Sequence, residues 1–103
     1  MVARAKVLEA ARILRETAPP GSRVLLFGSQ ARGDARDESD ADFMVIEPEV
    51  ANRRSETVRL RQALRPIRIP VDIVVVGRQT FERWRDTPNT VIYEAARDGQ
   101  TCD

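Results

Sequence analysis

The chain contains no histidine, one cysteine and, at Lys6, one lysine among its 103 residues, and only 5% of it is aromatic. Each shortage removes a class of chemistry. Without histidine there is neither the commonest general base nor the commonest zinc ligand, and the Ser-His and Cys-His nucleophile pairs are excluded. Cys102 stands beside the C-terminus with no mate, so no disulfide framework exists. No run approaches the roughly 20 apolar residues of a membrane span. The opening Met1-Val2-Ala3-Arg4-Ala5-Lys6 lacks the apolar block of a signal peptide, which makes the cytoplasm the expected location. With 17 basic and 16 acidic residues the net charge is +1, which argues for neither a nucleic-acid coat nor a membrane surface. Chemistry here must run on carboxylates, arginines and hydroxyls.

What the chain does have is a regular alternation of apolar patterns, of a length expected for one small domain spanning 1–103. Val7, Ala10, Ala11 and Leu14 recur at helical spacing, with Arg4, Arg12, Arg15 and Glu16 on the other side, which predicts a helix over 3–17. Ala18-Pro19-Pro20-Gly21 stops it. Arg23 to Phe27 is apolar on both faces and reads as a central strand. Ala41 to Ile46 reads as a second strand, closed by Pro48, and a helix is expected from Glu49 to Leu64. Val71 to Val76 is a β-branched run interrupted once, at Asp72, and ended by Gly77. A short helix near Thr80, containing Phe81 and Trp84, and a last one over 89–98 with Gly99 at its stop complete the pattern. The order α-β-(short α)-β-α-β-α-α predicts an α/β (α+β) domain, a small mixed sheet of at least three strands flanked by helices.

One constellation carries the chemistry. The first strand runs into Phe27-Gly28-Ser29-Gln30-Ala31-Arg32-Gly33, and the second is led by Ser39-Asp40-Ala41-Asp42. Side chains alternate along a strand, so Asp40 and Asp42 must point the same way. Asp72 adds a third acid on the next strand, and each of the three is embedded among residues that are expected to be buried or half-buried. Two unit charges about 4 Å apart repel by roughly 4 kcal/mol at an effective dielectric near 20. Magnesium, which takes oxygen ligands and typically a few carboxylates together with substrate phosphates, would resolve that repulsion. Taken singly, an Asp-x-Asp is more often a solvated strand end, a Gly-Ser an ordinary turn and Asp72 a guard against edge pairing. In this order and spacing the three fit a site for phosphoryl or nucleotidyl transfer better.

The motif Gly28-Ser29-Gln30-Ala31-Arg32-Gly33-Asp34-Ala35-Arg36, then Ser39-Asp40-Ala41-Asp42-Phe43-Met44-Val45, with the later Asp72, resembles the nucleotidyltransferase superfamily related to DNA polymerase β. Within it, the chain is most similar to the small stand-alone members called minimal nucleotidyltransferases, and the likeness in element order covers essentially its whole length. Ala41 and Phe43 stand where aliphatic residues are usual, a change of packing, and Gln100-Thr101-Cys102-Asp103 lacks the apolar-aromatic ending of relatives. The resemblance implies transfer of AMP from ATP to a hydroxyl with loss of pyrophosphate. It gives Asp40, Asp42 and Asp72 as catalytic Mg²⁺ ligands, Asp72 also helping to deprotonate the acceptor, and Gly28, Ser29 and Arg32 as nucleotide-binding residues, with Arg36 a weaker candidate. It further implies a HEPN-type toxin as partner, the chain acting as antitoxin by adenylylating a tyrosine of that toxin. Two other readings stay open: a non-catalytic nucleotide-binding module that masks its partner, and transfer to a small molecule.

Two features lie outside the motif. Six arginines (53, 54, 59, 61, 65 and 68) and one acid, Glu56, fall between Arg53 and Arg68, either a solvated helix face or a surface for an acidic partner or RNA. Phe81, Trp84 and Tyr93 read as core or lid residues, with Trp84 also a candidate interface anchor.

Overall fold

The computed structural model describes residues 4–28 and 41–102. The short helix expected between the first two strands, and with it Ser29, Arg32, Arg36 and Asp40, lies outside the described residues. Helix α1 spans Arg4–Thr17 and buries Val7, Ala10, Ala11 and Leu14, the stripe that its spacing announces. Strand β1 is Arg23–Phe27 and strand β2 is Ala41–Glu47. Helix α2, Arg53–Ala63, begins four residues later than the pattern suggests, because Asn52 is its cap: extended in backbone, it accepts a hydrogen bond from the Ser55 amide at 2.9 Å.

Strand β3, Val71–Gly77, passes without a loop into helix α3, Arg78–Trp84. Helix α4 is Val91–Asp98; Asn89, expected inside it, has a φ of 68°, and Thr90 caps the helix by accepting from the Tyr93 amide at 3.0 Å. A two-residue strand β4, Gln100–Thr101, follows and was not foreseen. Gly99 does mark the stop of α4, but with an extended φ of −72° rather than a left-handed turn. Glycine is needed there for space, since a Cβ would overlap the Ala95 carbonyl oxygen and lie 3.5 Å from the Leu25 Cβ.

The four strands form one mixed sheet in the order β3-β2-β1-β4. β1 is antiparallel to both β2 and β4, and β2 is parallel to β3. The alternation of the strands sorts the core into two layers. Val24, Leu26, Phe43, Val45, Ile73 and Val75 face α1 and α2 and meet Val7, Leu14 and Leu60. Leu25, Phe27, Met44, Ile46 and Val76 face α3 and α4 and meet Phe81, Ile92 and Ala95. β1 and β2 are therefore covered on both faces, as their unbroken apolar runs require. Among the aromatics, Phe81 is core, whereas Trp84 is 41% exposed. Among the described residues, no helix is long and apolar enough to cross a membrane.

Candidate active site

The start of β2 and the start of β3 lie side by side, with Asp42 and Asp72 as register partners in the parallel pair. Neighbouring strands run about 4.8 Å apart, so two residues in one row present their side chains to the same face as neighbours. That face is the α3/α4 one, because Asp42 alternates with Met44 and Ile46, and Asp72 with Val74 and Val76. The acids thus extend the apolar layer beyond its rim, at the end of the sheet where β1 finishes. Sequence order alone could not supply the row; it depends on how β3 slides against β2.

Gly28 closes the site from the third strand. Phe27 pairs with Asp42 across the antiparallel ladder, and Gly28 then turns with a φ of 74°. This left-handed conformation suits glycine, and the packing demands it as well: a Cβ at this position would overlap the Asp42 carboxylate. The backbone at Gly28 is therefore pressed against one of the two acids, and any ligand held by Asp42 meets peptide groups rather than a side chain.

The surroundings of the two acids differ. Asp42 is half-buried, whereas the Asp72 side chain is 59% exposed between half-buried Val71 and buried Ile73. Arg61 of α2 reaches Asp72 at 3.9 Å and the Val71 carbonyl oxygen at 3.4 Å. Both members of that ion pair are open to water, so it contributes only about 0–1 kcal/mol. Like charges about 5 Å apart repel by roughly 3 kcal/mol at an effective dielectric near 20 and by less than 1 kcal/mol in bulk water. With one acid half-buried and the other exposed, the true cost lies between those limits. Two hard carboxylates in one row, one of them packed against the Gly28 backbone, suit a divalent cation that prefers oxygen ligands. Among the described residues no group of three His, Cys, Asp or Glu side chains gathers to hold a metal, so Asp42 and Asp72 are what this part of the chain offers. Asp40, Ser29 and Arg32 lie outside the described residues.

A second polar cluster escaped the sequence reading. Glu47, the last residue of β2, is 2% exposed, and its Oε2 has no hydrogen-bond partner. It alternates with Phe43 and Val45 and so faces α1 and α2, at the opposite end and on the opposite face from Asp42. The parity of its position was the available signal. Burial first, then the hydrogen bond and charge of Glu56, push the Glu47 carboxyl up to about 8, against the pull of Arg59. Arg59 grips Glu56 through Nε at 2.7 Å and a second nitrogen at 2.8 Å, and with the Glu47 hydrogen bond holds it down at about 2. The same guanidinium donates to the Thr17 carbonyl at 2.8 Å, tying α2 to the end of α1. The cluster is a structural clamp roughly 16 Å along the strand from Asp42.

Comparison with known proteins gives the family and the fold. The profile of the nucleotidyltransferase domain family matches residues 7–98, and the chain belongs to that family. A search of curated protein sequences returns no match. Among solved structures, a Sulfolobus solfataricus protein described provisionally as a nucleotidyltransferase superimposes with a TM-score of 0.63 at 22% identity, over 94% of this chain and 76% of that one. One chain of a toxin-antitoxin complex with AMP-PNP gives 0.66 at 18% identity, over 96% of this chain and 71% of that one. At these identities the structures show a shared fold.

Proposed function

We propose that this nucleotidyltransferase domain is a Mg²⁺-dependent adenylyltransferase that moves AMP from ATP to a protein hydroxyl, a tyrosine of a HEPN-type toxin, and serves as that toxin's antitoxin. The observation that carries the reading is the common row of Asp42 and Asp72 with Gly28 against Asp42. The likeness to a chain of a toxin-antitoxin complex with AMP-PNP supports the choice of nucleotide and of a protein partner. Asp42 and Asp72, with Asp40 two positions before Asp42, would hold Mg²⁺, which supplies positive charge to the triphosphate and to the departing pyrophosphate.

The remaining roles fall to the chain's own groups. Gly28 lets the backbone approach the phosphates, Ser29 donates its hydroxyl and amide to them, and Arg32 offsets their charge. Asp72, exposed at the rim, is the carboxylate that an acceptor arriving from solvent can reach, and it takes the hydroxyl proton. The acceptor oxygen then bonds to the α-phosphorus as the bond to the bridging oxygen of pyrophosphate breaks. The test is incubation with Mg²⁺, ATP labelled at the α-phosphate and the protein encoded beside this chain. Label on a tyrosine of that protein, lost in Asp42→Asn, is the expected result. Neutralisation of the partner by Asp42→Asn with no label transferred would instead establish a stoichiometric mask.

A further inference from the structure

β3 lies at the edge of the sheet, and among the described residues its one strand neighbour is β2. Beside that edge runs a groove of about 410 Å³ whose one wall is residues 73–75 of β3 and whose other is α2, carrying Arg53, Arg54 and Arg61 with Val58 exposed between them. Three consecutive strand residues line it although their side chains alternate between the two faces of the sheet. The wall is therefore the backbone edge itself. Toward the strand start a second hollow, sharing Arg61 and Ile73 with the groove, is lined by Arg65, Pro70 and Val71, the last of these next to Asp72 in the strand.

We propose that this edge receives an extended acidic segment of the partner protein as an added strand and thereby delivers the acceptor hydroxyl to the active site; the idea rests on the transferase reading above. Backbone groups of β3 hold the segment in register, as in other strand additions. Charge selects it: Arg53, Arg54, Arg61 and, further along, Arg65 line the path, and no acid is among the described residues lining it. Alternation then fixes what the segment must look like. Side chains on its α2 side meet the arginines and are acidic at every second position. Those between them emerge on the opposite face, the one that carries Asp42 and Asp72. From Val75 to Asp72 is three residues, roughly 10 Å, so a hydroxyl residue at odd spacing from the acidic ones arrives level with Asp72. Arg61 lines the groove and reaches the Val71 carbonyl oxygen and Asp72, and so links the groove to the rim where Asp72 stands. A protein segment fits better than RNA. The groove is walled by aliphatic and arginine side chains with no aromatic surface for stacking bases, and exposed Trp84 belongs to α3, on the far face of the sheet.

The probe is a fluorescein-labelled heptapeptide of alternating valine and glutamate ending in tyrosine, Val-Glu-Val-Glu-Val-Glu-Tyr, titrated with the intact chain at low salt without nucleotide or metal. Saturable binding is expected, weakened at least tenfold by Arg53→Glu with Arg54→Glu. Those changes sit in the first turn of α2, where acidic residues favour the helix, so the fold is retained. Of two peptides N-methylated at alternate amides, one is expected to lose binding and the other to keep it, because one set of amides faces β3. Equal binding by both methylated peptides, no response to the double charge reversal, or displacement of the heptapeptide by single-stranded oligouridine at tenfold lower concentration would overturn the proposal. The Asp42→Asn variant is expected to bind the peptide normally. Peptide binding with no label transfer to any acceptor sinks the transferase reading alone, and label transfer to the partner indifferent to the arginine reversals sinks the groove alone.

Discussion

Replacing Gly28 with alanine tests the packing of the site more sharply than removing an acid does. Two effects add. The residue is held at a φ of 74°, which for a residue with a Cβ costs about 1–2 kcal/mol. The new Cβ also overlaps the Asp42 carboxylate, which must rotate away or push the turn outward, at about 1–2 kcal/mol more. Together they predict about 2–4 kcal/mol of destabilisation, a fall in Tm of roughly 10–20 °C for a domain of this size. Only the second effect depends on Asp42. A double-mutant cycle with Asp42→Ala, read by urea denaturation without metal, should therefore recover about 1–2 kcal/mol, the double variant being less damaged than the sum of the singles. Additivity within about 0.5 kcal/mol would mean that Gly28 does not abut the carboxylate, and the geometry of the site would be refuted.

The clamp at the far end of β2 predicts a pH effect. The Glu47 carboxyl is raised to about 8 in the fold, above the 4.5 of the unfolded chain, so its contribution is full below the lower value and is lost as pH rises toward the higher. Stability should fall by about 2 kcal/mol between about pH 5.5 and 7.5 from this group, and Glu47→Gln should flatten that limb in urea titrations. Glu56, held at about 2, acts with the opposite sign: its contribution is present above 4.5 and lost as pH falls toward 2, so acid unfolding should begin at higher pH in Arg59→Ala. Thr90→Ala removes the cap of α4 and should cost about 1 kcal/mol by the same assay, with Thr90→Asn near neutral. Phe43→Ala, at a fully buried position in the centre of the sheet, should cost about 3–5 kcal/mol.

Much of the fold was legible because the strands obey simple alternation. β1 was expected at its observed bounds, and β2 and β3 each run one residue further than their apolar patterns, through Glu47 and Gly77. The buried stripe of α1 and the burial of Phe81 follow from spacing and size alone. The start of α2 was misplaced because Glu49 is a better helix former than Asn52, yet the cap decides where a helix begins. β4 left no pattern to read: two polar residues become a strand only because Gly99 lets the chain fold back against Leu25. For the site, local sequence could place Asp42 and Asp72 on strands but not in one row, since that depends on a parallel register set by a helix and loop between them. Exposure of Asp72 follows from its place at the start of an edge strand, which the order of strands fixes and the sequence does not print.

The most direct measurement of the central claim is a calorimetric titration of the protein with Mg²⁺ and AMP-PNP, comparing the native chain with Asp42→Asn, Asp72→Asn and the double variant. If the two carboxylates serve one cation, each single change weakens binding at least tenfold and the double variant is little worse than the poorer single. Native affinity in Asp72→Asn, or full additivity of the two losses, would contradict a shared site.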